Sequence, residues 1–380
     1  MKIALVHDQL QEFGGAERVL VAFKKIFPQA DVYTSFYNPE KLGIHSKYFK
    51  NWRIITSWTD KIPFLKNIYS PLRFITPWIW ESFDFSKYDL VISSSGSYMS
   101  KGIITRPETV HISYLHHQPR YLYSYETGSL HELQKYLLFR IYANLVNHPL
   151  RLWDYISSQR PDYLIANSEE TKKRIQKFYR RDSYVIYPPV NIPAKDTILA
   201  RSDQDGTNNF AYFITTSRLA KAKHINILIK AANNLKFNLK IVGTGRDENY
   251  LKSIAGNTVE FLGNISDDKQ PILYLNAKAF LFSAVDEEFG IAPVEAMGYG
   301  LPVIAYASGG IKETIRDEFN GYLFNELVPS SLISQIKKIE SMSKEKYLEM
   351  RKNTRKESEK YSFANFKKQV LDFINSKMSS

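Results

Sequence analysis

The chain contains no cysteine, which excludes disulfides and thiolate-held metals outright. Nor does it contain a run approaching the roughly 18 apolar residues of a membrane-spanning helix. Its start, Met1-Lys2-Ile3-Ala4-Leu5-Val6-His7-Asp8, carries charge too early for a secretory signal and reads as the first buried strand of a parallel sheet. No Gly-x-Gly-x-x-Gly fingerprint follows that strand, which counts against a dinucleotide-dependent dehydrogenase. These absences together predict a cytoplasmic protein without a membrane span.

What is present is length and positive charge. At 380 residues the chain exceeds what one hydrophobic core usually organises, so two domains are expected. Its 44% hydrophobic and 24% charged content is that of a globular protein. The net charge of +12 is uneven: residues 1–190 hold 25 Lys and Arg against 17 Asp and Glu, the remainder 26 against 22. Aromatics gather in the same half. Between Lys47 and Trp80, the cations Lys50, Arg53, Lys61, Lys66 and Arg73 are interleaved with Phe49, Trp52, Trp58, Phe64, Tyr69, Phe74 and Trp78. Such a mixture suits an anionic membrane surface and, in principle, stacking on bases. Packed rings and a peripheral contact with the inner face of a membrane both fit; no nucleic-acid partner is expected. A second basic run, Lys172 to Arg181, has Ile175, Phe178 and Tyr179 at helical spacing and reads as a solvated helix face.

Strand candidates alternate with helical stretches, and several are continuous apolar runs without alternation, as expected of sheets covered on both faces. In the first half they are Ile3 to His7, Asp31 to Ser35, Arg53 to Thr56, Leu90 to Ser94, His111 to Leu115, Tyr163 to Asn167 and Tyr184 to Tyr187. Arg140 to Ile156 is long enough for an extended helix, and Asn167 and Ser168 suit a helix cap. After Tyr187-Pro188-Pro189-Val190 the composition turns polar, and residues 191–209 read as a linker. The alternation then restarts with Phe210 to Thr215, Asn238 to Val242, Val259 to Leu262, Ala277 to Phe282, Val303 to Tyr306 and Gly321 to Phe324. A last helix covers Phe363 to Met378. The fold class is α/β, with doubly wound Rossmann-like domains at 1–190 and 210–362. Ligands of such sheets bind outside the carboxyl ends of strands, so a cleft between two facing domains is the expected site.

The chemistry concentrates in Glu287-Glu288-Phe289-Gly290-Ile291-Ala292-Pro293-Val294-Glu295, between the strand Ala279 to Ser283 and a small-residue helix. Pro293 suits a helix first turn, where its fixed φ belongs and its missing N–H costs nothing. Such a helix start offers unpaired N–H groups and a positive dipole end to a phosphate. Glu287 on the loop and Glu295, expected in the first helical turn, cannot both face that phosphate, since like charges repel. They are better used as acceptors from hydroxyls flanking it. A phosphate cradle between two hydroxyl-binding carboxylates fits a nucleotide diphosphate sugar. Arg218 and Lys223, just past a strand end, can converge on one phosphate group, one as a flat fork and the other as a mobile point charge. Gly14 and Gly15 follow the first strand and let the backbone approach a ligand. No acidic pair at a strand end offers a metal clamp; Asp267 and Asp268 are adjacent and sit where a helix cap belongs.

This constellation resembles the retaining glycosyltransferases of family 4, whose hallmark is two glutamates separated by seven residues in this strand–loop–helix context. The resemblance runs in order from Gly14 to Glu295 and implies the GT-B fold, with a terminal helix at 363–380 packing back across the joint. It implies Glu287 on the donor sugar, with Phe289, Gly290 and Ile291 beside it, and Glu295 on the ribose diol. Arg218 and Lys223 match the family's R-x-x-x-x-K pair on the donor diphosphate, and Gly14 and Gly15 its N-terminal glycine loop. Gly243 and Gly245 match a segment around the nucleoside, and Ser308-Gly309-Gly310 a glycine turn. His117, with Pro119 two residues on, matches a histidine that hydrogen-bonds the reacting sugar; His116 does not. No cofactor and no metal are implied. Tyr88 to Ser95 and Tyr187 to Val190 are similar to bacterial GDP-mannose-dependent mannosyltransferases of surface polysaccharide assembly. The implied partners are a nucleotide-sugar donor and a saccharide or lipid-linked acceptor. The sequence departs from the family pattern at His116 and Arg120, both on the acceptor side.

Three other readings remain open at this point. A glycoside phosphorylase of similar architecture would need a lysine anchor for pyridoxal phosphate, and none is evident. A non-catalytic sugar-nucleotide-binding subunit would bind donor without transfer. A basic nucleic-acid-binding protein would lose affinity steeply with salt.

Overall fold

Residues 1–69, 71–126, 136–194, 211–266 and 268–378 are described by a computed structural model. Most of the linker expected at 191–209, together with Asp267, lies outside them. The chain divides into two units: Met1–Pro189 with Phe366–Ser380, and Val190–Asn365.

The first unit contains β1 Ile3–His7, β2 Asp31–Thr34, β3 Ile54–Thr56, β4 Leu90–Ser95, β5 Val110–Leu115, β6 Tyr163–Ala166 and β7 Tyr184–Val185. They form one parallel sheet in the order β3-β2-β1-β4-β5-β6-β7. The chain therefore winds outward from β1 in one direction and restarts beside it at β4. Strand β4, Leu-Val-Ile-Ser-Ser-Ser, is buried along its whole length although half of it is polar. It tolerates this because its hydroxyls are partnered: Ser93 Oγ meets His111 Nε2 at 2.9 Å, and Ser95 Oγ accepts from the Lys101 N–H at 3.1 Å. An unpartnered buried hydroxyl would cost about 1–3 kcal/mol.

Behind this sheet lies a buried ion pair, Lys101 with Asp154. The hydroxyls of Tyr123 and Tyr179 donate to the second carboxylate oxygen at 2.7 and 2.9 Å. Burial, and after it the Asp154 carboxylate, push both phenols up from their ordinary range. The helix Leu137–Ser157 carries Asp154, and the helix Glu169–Tyr179 is capped by Ser168, whose side chain accepts from Thr171 N–H. Lys172, Lys173 and Lys177 form the solvated face expected of that second helix, but Arg174 is buried against Glu170 at 3.0 Å. The terminal helix Phe363–Met378 completes the unit. Phe366 packs its ring on Phe23 and Tyr114, and Phe373 on Tyr163 and Tyr184. Burying each such ring contributes about 1.5–3 kcal/mol.

The second unit contains β8 Tyr212–Thr216, β9 Leu239–Val242, β10 Val259–Gly263, β11 Ala277–Phe282, β12 Val303–Tyr306 and β13 Gly321–Phe324. Their order is β10-β9-β8-β11-β12-β13, again parallel throughout. Its core joins Phe213, Leu228, Leu239 and Ile241 to Leu281, Ile304 and Phe324. The start of the expected linker is packed rather than loose: the Pro193 carbonyl accepts from Arg355 at 2.7 Å.

Candidate active site

The second sheet restarts between β8 and β11, and the segments leaving those strands carry the residues that the sequence singles out. After β8 the chain runs through Arg218 into one tight turn, Lys221–Lys223. After β11 it runs through Glu287 into the helix Ile291–Gly298. The two segments are stitched together. Ser283 Oγ donates to the carbonyls of Lys223 and His224 at 2.8 and 3.1 Å, and Val285 N–H to that of Ala222 at 3.3 Å. This brings Lys223 Nζ to 2.6 Å from Glu287 Oε2, in a pair whose side chains remain 19% and 21% exposed.

Glycine permits the close approach. Gly309 has φ 61°, and a Cβ there would stand 2.1 Å from the Glu287 carbonyl; one on Gly310 would stand 2.0 Å from that of Glu288. Gly310 N–H donates to the Glu287 carbonyl at 2.8 Å, and Ser308 Oγ accepts from Asp286 N–H at 2.9 Å. The Ser308-Gly309-Gly310 turn is thus a clasp on the Glu287 loop. Gly243 and Gly245 do the same for Arg218: Cβ atoms there would stand 2.0 and 2.2 Å from the Ser217 and Leu219 carbonyls. Arg218 itself is exposed.

Gly290 caps the helix at φ 88° and supplies no side-chain acceptor to its first N–H groups. Phe289 is buried with its ring against Tyr361, so its backbone is what a ligand could reach; Ile291 is half-buried. Glu295 departs from expectation. The left-handed turn at Gly290 starts the helix at Ile291, ahead of Pro293, so Glu295 falls in the second turn rather than the first. It is buried, and Gln270 Nε2 donates to its Oε2 at 3.4 Å. Burial and then the Glu295 carboxylate push the neighbouring Tyr299 phenol up.

A second constellation, which sequence reasoning missed, lies in the first unit where β4 restarts beside β1. Glu17 Oε1 meets His7 Nε2 at 3.3 Å, His7 Nδ1 meets Ser94 Oγ at 3.0 Å, and Ser94 Oγ meets His116 Nε2 at 2.7 Å. A carboxylate only accepts, so with neutral rings His7 donates to Glu17, Ser94 donates to His7, and His116 donates to Ser94. The other Glu17 oxygen accepts from Gly14 N–H at 2.7 Å, which fixes the Gly14-Gly15 loop. Asp8 accepts from the N–H groups of Gly96, Tyr98 and Ser100 at 2.9, 2.8 and 3.0 Å. His117 stands outside this chain. Its Nδ1 donates to the Gln118 carbonyl at 2.8 Å, which leaves Nε2 to accept. The signal available in the sequence was the capping-box spacing of Gly14 and Glu17.

Fold and site together define the class. Residues 197–357 match the family model of the glycosyl transferases group 1. Among curated proteins, the chain is 24% identical over 332 residues to the GtfA subunit of the UDP-N-acetylglucosamine–peptide N-acetylglucosaminyltransferase of Streptococcus pneumoniae. That alignment covers 84% of this chain but 58% of the relative, so the chain spans little more than half of that protein's length. It is 25% identical over 388 residues to the alpha-1,3/1,6-mannosyltransferase ALG2 of Dictyostelium discoideum, covering 86% of this chain and 87% of the relative. Among solved structures, Anabaena HepE in complex with UDP and glucose superposes with a TM-score of 0.70 at 20% identity, covering 99% and 100% of the two chains. The fold is of the GT-B type.

Proposed function

We propose that the chain is a retaining glycosyltransferase that moves a hexose from a nucleotide diphosphate sugar to a saccharide or lipid-linked saccharide acceptor, in cytoplasmic assembly of a surface polysaccharide. The observation that carries this reading is the half-open Lys223–Glu287 contact of 2.6 Å at the restart of the second sheet. A donor diphosphate offers Lys223 a better partner, and the carboxylate so released accepts from sugar hydroxyls. Arg218 adds a planar fork to the same phosphates. The acceptor hydroxyl forms its bond to the anomeric carbon on the face from which the diphosphate departs, and its proton passes to the departing phosphate oxygen. Arg218 and Lys223 meet the charge that develops on the leaving group, the kind of preorganised stabilisation enzymes use most; no resident metal or cofactor is invoked. Glu295 holds the ribose once Gln270 turns aside, and His117 offers Nε2 to a substrate hydroxyl.

Mannose from GDP-mannose is the first choice of donor, supported by the mannosyltransferase relative. A uridine donor is the second, favoured by the UDP in the Anabaena complex. A thermal-shift panel of GDP-mannose, UDP-glucose, UDP-N-acetylglucosamine and the free diphosphates, all in EDTA, tests both. A ligand at about 100 times its Kd adds roughly 2.7 kcal/mol of stability. Stabilisation by one base series names the nucleotide, and stabilisation by none of them overturns the reading.

A further inference from the structure

Large apolar side chains are not scattered evenly over the surface. Twenty-two stand exposed among the described residues; fourteen of these lie in two segments of the first unit, 58–78 and 136–156, and only three in the second unit. The helix Leu137–Ser157 supplies a stripe. Leu138, Ile141, Leu145, Leu152 and Ile156 share an arc of about 60° on a helical wheel, and Leu138 and Leu145 are 81% and 70% exposed. The opposite face, with Leu150 and Asp154, is buried in the unit. Segment 58–78 adjoins this helix: Tyr142 donates to the Pro71 carbonyl, and Arg73 to Asn147 Oδ1 at 2.7 Å. It adds Phe64 and Trp78, 76% and 59% exposed. Within the aromatic stretch Lys47–Trp80, by contrast, Phe49, Tyr69 and Trp80 are buried.

The charge pattern says what covers this surface. No acidic residue occurs between Asp60 and Glu81, and the helix has only Asp154, which is buried on Lys101. Lys61, Arg140 and Arg151 are exposed on the same two segments, the arginines about 80–100° round the helix from the edge of the stripe. A second copy of the chain would bring like charges together across a two-fold interface. An anionic bilayer would take both the cations and the apolar side chains, with Trp78 and Tyr136 at headgroup level. We infer that the helix Leu137–Ser157, with residues 58–69 and 71–78 beside it, lies in the plane of an anionic membrane surface and anchors the first unit there. The inference does not rest on the donor reading.

The test is sedimentation of the full chain with vesicles of phosphatidylcholine alone or mixed with phosphatidylglycerol, at low and high salt. Wild type should sediment with the anionic vesicles at low salt and less at high salt. L145E/L152E, at two exposed positions, should weaken that binding at least tenfold while keeping its circular dichroism and its response to donor. I272E, on the second unit, should bind as wild type does. Absence of binding to anionic vesicles, or binding unchanged in L145E/L152E, overturns the inference. So does a dimer in analytical ultracentrifugation that L145E/L152E abolishes without any vesicle binding, which would assign the stripe to a second copy.

Discussion

Two lysine–carboxylate pairs, one in each unit, use the same chemistry to opposite ends. Lys101 and Asp154 are 1% and 0% exposed, and two tyrosine hydroxyls occupy what the ion pair leaves of the carboxylate. Lys223 and Glu287 keep about a fifth of their surface exposed, and their loops are held by the Ser283 and Ser308 hydroxyls and by backbone contacts rather than by the charges themselves. A pair sealed from water cannot exchange partners, so it serves the fold. A pair held half-open by its surroundings can give up one partner for a ligand without the loops coming apart. The difference lies in what each side chain can reach, not in which residues are paired.

The largest effect should come from breaking the sealed pair. Asp154→Asn leaves a buried ammonium without its counter-charge and should cost about 3–5 kcal/mol, read as a drop in the urea midpoint. A loss under about 1 kcal/mol would erase the distinction. Lys223→Ala should instead lower turnover about 10- to 150-fold, since one charge-assisted hydrogen bond is worth roughly 1.5–3 kcal/mol. Its stability should change by less than about 1 kcal/mol, as for other part-exposed pairs. Near-wild-type turnover, or a large fall in the midpoint, would show that this pair also is structural.

A smaller effect sharpens the comparison from the side of pH. Burial, and after it Arg181 and Arg160, hold the His111 imidazole down at about 3. Its folded value lies below its unfolded one, so the stability it contributes is complete above about pH 6.5 and is lost as pH falls toward the folded value. Between pH 6 and 5 the loss should be about 1 kcal/mol, and His111→Asn should remove it. Parallel stability–pH curves for the two proteins would show that this ring does not govern acid sensitivity.

All thirteen strands of the described residues were legible because several are continuous apolar runs and all are separated by Gly, Pro and polar breaks. Errors were confined to ends, and they have causes. Ser95 extends β4 because its hydroxyl is partnered by Lys101 N–H, a contact made by the fold. Lys223 and Glu287 were both marked by motif, but their contact depends on Ser283 bonding the Lys223 carbonyl, which no spacing reveals. Glu295 was placed a turn too early because the cap at Gly290 outranks the proline at 293 in setting where the helix starts. The His7–Ser94–His116 chain was hard to see because its members come from three strand ends, and only Glu17, three residues past Gly14, carries a local signal. Nothing in the sequence marks Asp154 and Lys101, since sequence carries no sign of burial at single positions. The stripe at 138, 145 and 152 was present in the letters, but a helical period alone does not say which side faces water.

The terminal helix has a consequence for the order of assembly. The first unit is begun by residues 1–189 and finished only by residues from Phe366 onward. During synthesis, Phe23, Tyr114, Tyr163 and Tyr184 therefore wait with a ring face uncovered until the whole second unit has emerged. A nascent chain arrested before Phe363 would hold every strand of both sheets and still be sticky. The part made first is the part completed last.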